Sequence, residues 1–319
     1  MVQNEIMSNI FSKKRGEKYD VAVMYSGGKD SSYLLYLLKK VYGLNVVAVC
    51  VDNGYESNNL FDIIKKYTDN IGVELVVVRP SKENFTKFFN TMVVEDKLFA
   101  REGVNHVCFV CNNILWCNVA KYASENGIPY VASGLSLAQL SSGRPYPLEP
   151  DKMANAIAER STKQILKNAL EGFYQSKSYN ADEEFKNFID GLSGAVRQVT
   201  TVYPYIYHQI SVDDLKKSLD AYGWCPPNEV DPEKYIASGC EIMSTVVGEL
   251  EKLKIVTLNE REQAKSMVAA GLIDESDLEF ANYDASKDMV DLSSPVISEL
   301  GIKEFLISKC NEQNRLYIE

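Results

Sequence analysis

The chain has 319 residues, 45% of them hydrophobic and 24% charged, and its 34 Lys and Arg against 44 Asp and Glu give a formal net charge of −10. A chain of this size can bury a full core as one large domain or two modest ones. No run approaches the roughly 20 apolar residues of a membrane span, and the acidic balance argues against a surface that grips nucleic acid through many phosphates. The first 20 residues hold no apolar core of signal-peptide length. The expectation is a cytoplasmic protein whose seven cysteines are reduced thiols or metal ligands rather than disulfides.

Apolar runs at 19–25, 45–52, 73–80 and 128–134 read as strands, and helical patterns occupy 31–43, 58–72 and 111–127. In the second helix Leu60, Ile63, Ile64 and Tyr67 recur at helical spacing. Continuous apolar strands alternating with helices predict an α/β fold, a doubly wound and mostly parallel sheet with helices on both faces. Beyond Gly134 the pattern changes. Turn formers crowd 142–152, 153–193 reads as polar-faced helix, 202–211 as extended chain, and the segment after it as a short helix. The resulting division is an N-terminal extension (1–18), a nucleotide-binding domain (19–240) with a helical insert at about 150–200, and a charged helical region (241–319).

The stretch VAVMYSGGKDSSYLLYLL, residues 21 to 38, sets flexible and charged residues between a strand and a helix. Such a junction aims backbone N–H groups and the positive helix end at one spot, where a phosphate is favoured. Gly27 and Gly28 leave room for the phosphate, Ser26, Ser31 and Ser32 add hydroxyls, and Lys29 adds a cation. Asp30 would repel phosphate unless a Mg²⁺ ion lies between them or it fixes Lys29. Lys29 and Asp30 are the catalytic candidates. The loop has neither the Walker spacing nor the dinucleotide fingerprint, which excludes a hydride-transfer enzyme of that type.

The sequence S-G-G-x-D-S at 26–31 resembles the PP-loop of the ATP pyrophosphatases, enzymes that cleave ATP to AMP and pyrophosphate. The resemblance covers roughly 19–240 and implies a Rossmann-like sheet with ATP at the carboxyl ends of its strands. Carried onto this chain, Ser26, Gly27, Gly28, Asp30, Ser31 and Ser32 would hold the pyrophosphate part of ATP. The stretch VDNGYES implicates Asp52, Asn53 and Gly54 near the adenosine. ASGLSLAQ supplies Gly134 but has Leu137, Ala138 and Gln139 where relatives carry acidic residues.

Cys108 and Cys111 stand at C-x-x-C spacing just before a helix, where a thiolate is stabilised for metal ligation or redox chemistry. Without a second such pair, a closed four-cysteine zinc site is poorly supported. The iron–sulfur tRNA thiolase branch of the PP-loop family pairs a C-x-x-C with a distant Cys-Pro. That resemblance implies Cys225 as third ligand of a [4Fe–4S] cluster, with a similar lead-in at Pro204, Ile210, Asp214 and Leu215. Cys240 is the alternative third ligand. Two features depart from that branch: no basic residue follows the pair until Lys121, and the gap to Cys225 is long. Cys50 and Cys117 read as core residues and Cys310 as incidental; of the two histidines, His106 and His208, His106 reads as an ordinary loop residue, with a ligand or acid–base role two residues before Cys108 as the alternative.

Three functions remain open on these residues. One is an ATP-dependent sulfurtransferase that adenylates a carbonyl oxygen and replaces it with sulfur, using ATP, Mg²⁺ and a cluster on Cys108, Cys111 and Cys225. Its acceptor would be a tRNA base or a small molecule, and it would need a sulfur donor. A second is an amidotransferase, because the ATP-binding half also resembles the N-acetyl-sugar amidotransferases. A third is a nucleotide-binding protein without chemistry. No membrane partner is expected, and the C-terminal helices would suit a homodimer, a carrier protein or a cover for the site.

Overall fold

The computed structural model describes residues 7, 10–12, 16–57, 59–100, 105–135, 162–192, 199–208, 212–226, 239–258, 261, 264–265, 268 and 282–319. Five parallel strands form the main sheet: β1 (Val21–Met24), β2 (Val46–Val51), β3 (Glu74–Val78), β4 (Tyr130–Ala132) and β5 (Thr200–Val202), in the order β3-β2-β1-β4-β5. The chain winds outward from β1 through β2 to β3, then returns to lay β4 on the other side of β1. The order therefore reverses beside β1, and that reversal opens a crevice at the strands' carboxyl ends. This is the doubly wound architecture the alternation predicts.

Side chains alternate across the sheet, and both faces are buried. Ala22, Val47, Val49, Val51 and Val131 join one core, while Val21, Val23, Val46, Ala48, Cys50, Tyr130 and Ala132 join the other. That is why the strands read as unbroken apolar runs. The second core takes α1 (Lys29–Tyr36), which continues as a π-helical turn over Leu37–Val41, and α2 (Leu60–Ile71), which ends on Gly72 in the left-handed conformation. The N-terminal segment docks on this face as well: Phe11 meets Tyr130 edge-on at 5.2 Å, and the Tyr130 hydroxyl donates to the Ile10 carbonyl.

The first core takes α3 (Lys82–Val94) and α4 (His106–Glu125). Three helices follow in chain order, α5 (Thr162–Gln175), α6 (Lys177–Ala181) and α7 (Glu183–Gly191). The sequence suggested polar faces here, yet Leu170, Phe173, Phe185 and Ile189 are fully buried. Phe173 stacks on Phe88 at 4.9 Å and meets Phe99 at 4.7 Å. Only four apolar positions are needed for that stripe, too few to stand out among the charged ones.

Among the described residues of 202–211 only Val202 is in a strand, the end of β5, because Pro204 starts a 3₁₀ turn over Pro204–Ile206; α8 (Val212–Asp220) is the next helix. A π-helical turn (Ile242–Val247) leads into α9 (Gly248–Lys252), and α10 (Pro295–Glu299) and α11 (Lys303–Glu312) close the chain. β6 (Val290–Asp291) and β7 (Tyr317–Ile318) pair in parallel, a pairing too short to show as a sequence pattern. Ile242, Val247, Leu250, Ile297 and Leu306 lie in the same core as α3 and α4. No helix among the described residues is long and apolar enough to cross a membrane.

Phe173 is the buried link between α5 and α3, so truncating it leaves a cavity rather than a surface dent. Phe173→Ala is expected to cost about 3–5 kcal/mol in chemical denaturation, a loss in the range of large core truncations.

Candidate functional site

The phosphate loop leaves β1 through the buried Tyr25 and the exposed Ser26. Gly27 adopts φ +77, and a Cβ there would lie 2.6 Å from Ile64 Cγ2 and 3.0 Å from Leu60 Cδ1. Glycine is required on both counts. Gly28 is the N-cap of α1 in extended conformation, with no side-chain cap, so the polar start of the helix opens on the loop. Ser31 Oγ donates to the Gly28 carbonyl at 3.1 Å and lies 3.2 Å from Ser26 Oγ. The two hydroxyls thus flank one spot. Ser32, expected beside them, is fully buried beneath the loop, its hydroxyl 3.3 Å from both the Tyr25 hydroxyl and the Gly27 carbonyl. It braces the loop from below.

Lys29 Nζ reaches both carboxylate oxygens of Asp30, at 2.8 and 2.7 Å. Both side chains remain partly exposed, so a bound triphosphate can draw Lys29 away and leave Asp30 to a cation. One carboxylate beside a phosphate site is the donor set Mg²⁺ commonly uses, with phosphate oxygens and water completing its shell. The residues present fit that ion. Gly134 closes the other side: a Cβ there would stand 3.2 Å from the Cα and N of Ser31. Glycine after β4 therefore lets two backbones touch. Leu137, Ala138 and Gln139 lie outside the described residues.

The turn after β2 is held by its own side chains. Asp52 Oδ1 accepts from the Gly54 N–H at 2.9 Å, and its other oxygen meets Arg79 Nε at 3.3 Å. Asn53 is buried, accepting from the Tyr55 N–H at 2.8 Å and offering its amide to Cys240 Sγ at 3.9 Å. Gly54 has φ +81. Asp52 and Asn53, expected to face adenosine, spend these polar atoms on shaping the turn.

Cys108 and Cys111 lie in the first two turns of α4 rather than before it, and Asn105 caps that helix by accepting from the Cys108 N–H at 3.1 Å. Cys108 Sγ lies 3.4 Å from Met243 Sδ. Residues 55–57 and 239–241 run antiparallel, with Ser57 N–H donating to the Gly239 carbonyl at 2.8 Å and Glu241 N–H to the Tyr55 carbonyl at 2.7 Å. That pairing brings Cys240 to the C-x-x-C. Burial pushes the Cys111 thiol well up, and Cys240 and Cys108 push it further; burial, then Glu56, pushes Cys240 up to about 12. Glu56 itself is pushed up to about 7 by burial and by the neighbouring Asp52 and Glu241.

Cys225, expected as the third ligand, is exposed and sits elsewhere. The residue before it, Trp224, donates its indole N–H to the Gly27 carbonyl at 2.9 Å, which ties this segment to the phosphate loop. The cysteine that neighbours the pair is Cys240. Cys50, Cys117 and Cys310 are core residues. His106 is buried with Nε2 3.3 Å from the Met92 carbonyl, and burial lowers its pKa; His208 Nε2 lies 3.5 Å from the Tyr33 hydroxyl. Glu56, Tyr205 and Trp224 were not singled out from the sequence. Trp224 alone left a signal there, a tryptophan directly before the Cys-Pro.

Cys108, Cys111 and Cys240 suit an iron–sulfur cluster in donor chemistry: three neighbouring thiols, of which Cys111 and Cys240 have raised pKa values that keep them protonated until a cation takes the proton's place. As they stand, no group of three or more His, Cys, Asp or Glu side chains among the described residues is spaced to hold a metal ion. The same raised pKa values govern reactivity, because only the thiolate attacks an alkylating agent. With iodoacetamide at pH 8, the exposed Cys225 should be modified more than about tenfold faster than Cys111 or Cys240, and those two should catch up only as pH rises or the chain unfolds. Peptide mass mapping against time reads all three.

Residues 20–135 match the family model described as the arginosuccinate synthase N-terminal HUP domain. The argininosuccinate synthase of Dictyoglomus thermophilum is 31% identical over 118 residues, 37% of this chain and 29% of that one. The cytoplasmic tRNA 2-thiolation protein 1 of Saccharomyces cerevisiae is 28% identical over 137 residues, 40% of this chain and 35% of that one. These matches span well under half the length of either relative. Among solved structures, the U34-tRNA thiolase NcsA from Methanococcus maripaludis, with its [4Fe–4S] cluster, aligns over 94% of this chain and 90% of that one at 17% identity and a TM-score of 0.36. Residues 20–135, with the glycine loop at the reversal of a parallel sheet, are a HUP domain of the PP-loop ATP pyrophosphatase type.

Proposed function

We propose that this chain is an ATP-dependent sulfurtransferase: it adenylates a carbonyl oxygen at the phosphate loop and replaces that oxygen with sulfur. The observation that carries this reading is the placement of two chemistries on one sheet edge. The phosphate loop follows β1, while the turn after β2 supports Cys240 beside Cys108 and Cys111. Relatives named tRNA 2-thiolation proteins support it.

The substrate carbonyl oxygen attacks the α-phosphorus of ATP, the bond to the bridging oxygen breaks, and pyrophosphate leaves. Ser26, Ser31, the glycine backbone and the start of α1 hold that pyrophosphate. Asp30 would hold Mg²⁺, and Lys29 offsets the charge that builds on the leaving group. Positioning and charge neutralisation supply most of such a rate enhancement. A sulfur nucleophile then attacks the activated carbon, AMP leaves with the former carbonyl oxygen, and loss of the sulfur-bound proton gives C=S. Cys108, Cys111 and Cys240 would hold the [4Fe–4S] cluster, whose open iron would supply a Lewis-acidic seat for sulfide. The acceptor is a small molecule or a tRNA base, and the net charge of −10 favours the small molecule.

A second reading, nitrogen transfer to the same adenylate, draws support from the match of residues 20–135 to the argininosuccinate synthase domain. Iron and acid-labile sulfide in protein purified without oxygen separate the two. About four irons per chain, lost in Cys108→Ala, Cys111→Ala and Cys240→Ala but retained in Cys225→Ala, is the expected result. Iron-free protein would sink the cluster and put nitrogen transfer first. Both readings require the loop. Asp30→Asn is expected to lower ATP–pyrophosphate exchange by about 10²-fold or more with an unchanged circular dichroism spectrum, and exchange at the wild-type rate would remove Asp30 from the mechanism.

A further inference from the structure

The phosphate loop has a weakness that its chemistry does not solve. Two adjacent glycines offer no side chains by which packing could hold them, and the peptide between them is free to rotate unless something fixes it. In this fold two side chains reach the loop from the far end of the sheet. Trp224 Nε1–H donates to the Gly27 carbonyl at 2.9 Å, and the Tyr205 hydroxyl donates to the Asp30 carbonyl. Tyr205 comes from the 3₁₀ turn after β5, and Trp224 from the end of α8.

Both donors are themselves held. Tyr205 is buried and stacks on Tyr33 of α1 at 6.3 Å. The Trp224 backbone N–H donates to the Leu219 carbonyl at 3.1 Å, and the neighbouring Tyr222 carbonyl accepts from Asn70 of α2 at 2.9 Å. Leu215 and Leu219 anchor α8 in the core that contains α1. The brace is thus a rigid element and not a passing contact.

A trans peptide points its C=O and the following N–H in opposite directions. Holding the Gly27 carbonyl toward Trp224 therefore turns the Gly28 N–H the other way, and holding the Asp30 carbonyl toward Tyr205 does the same for Ser31. We infer that Trp224 and Tyr205 are positioning residues: they hold two peptide planes of the phosphate loop so that their N–H groups stay aimed at a bound pyrophosphate. This rests on the reading of the loop as an ATP site. It also gives the YGWCPPN segment a role through its tryptophan, beside the exposed Cys225 that does not join the other thiols.

The test is calorimetric titration of inorganic pyrophosphate and, separately, of adenosine into wild type, Trp224→Phe and Tyr205→Phe. Each substitution removes a donor and keeps most of the ring packing. The expected result is a loss of about tenfold in pyrophosphate affinity with adenosine affinity unchanged, because one lost preorganising hydrogen bond converts to roughly that factor. A merely structural role would weaken both ligands together or neither, and either pattern overturns the inference. Wild type that binds neither pyrophosphate nor adenosine overturns the ATP site itself and the inference with it. Wild type that binds both, with both variants equal to it, overturns the inference alone. As a second measurement, the chain has two tryptophans, so Trp116→Phe leaves Trp224 as sole emitter; pyrophosphate should shift its fluorescence, and no change at saturation would place Trp224 away from the loop.

Discussion

Everything at this site depends on one backbone constraint, the left-handed turn at Gly27. The strand must end, reverse its exposed edge and start a helix within four residues, under the roof made by Ile64 and Leu60 of α2. Any side chain at that point would strike the roof. With glycine there, α1 begins close to the strand's carboxyl end and its polar start opens into the crevice beside β1. The same geometry requires Gly134, where β4 ends against the backbone of Ser31. Two glycines from distant parts of the chain thus let the loop pass beneath the α2 side chains and the end of β4 lie against the backbone of Ser31.

The crevice joins two kinds of polar group that ordinarily conflict. Asp30 and Lys29 are charged and partly exposed, suited to a phosphate and its cation. The thiol of Cys111 is buried and that of Cys240 half-buried, and both are held protonated by their surroundings. Glu56 stands between the two regimes, raised by burial and by Asp52 and Glu241. A turn shaped by Asp52 and Asn53 separates them: one side chain faces Arg79, the other faces Tyr55 and the sulfur of Cys240. The charged pair Lys29–Asp30 follows β1, and Asn53 in the tight turn at the end of β2 meets the sulfur of Cys240.

The parts legible from residues are those with short-range physical causes. β1, β2, β3 and β4 appear as apolar runs because both of their environments are dry, and S-G-G-x-D-S stands out because so flexible a loop between strand and helix serves few purposes other than binding phosphate. Ser26, Gly27, Gly28 and Ser31 meet at one spot, as the motif implies. Ser32 does not, since a helix turns about 100° per residue and carries the next hydroxyl beneath the loop. The apolar stripe of Leu170, Phe173, Phe185 and Ile189 was hidden because its partners, Phe85, Phe88 and Phe99, lie far back in the chain.

The sequence by itself determined the sheet, the phosphate loop and the C-x-x-C, because strand periodicity, glycine spacing and i, i+3 cysteines are all settled within a few residues. Only the tertiary structure decided which third cysteine joins the pair. Cys-Pro context points to Cys225, but spacing along a chain says nothing about where an intervening 114-residue path returns. The backbone pairing of 55–57 with 239–241 delivers Cys240, and the hydrogen bond from Trp224 holds Cys225 at the phosphate loop. Long-range hydrogen bonds made these assignments, and no local residue pattern encodes them.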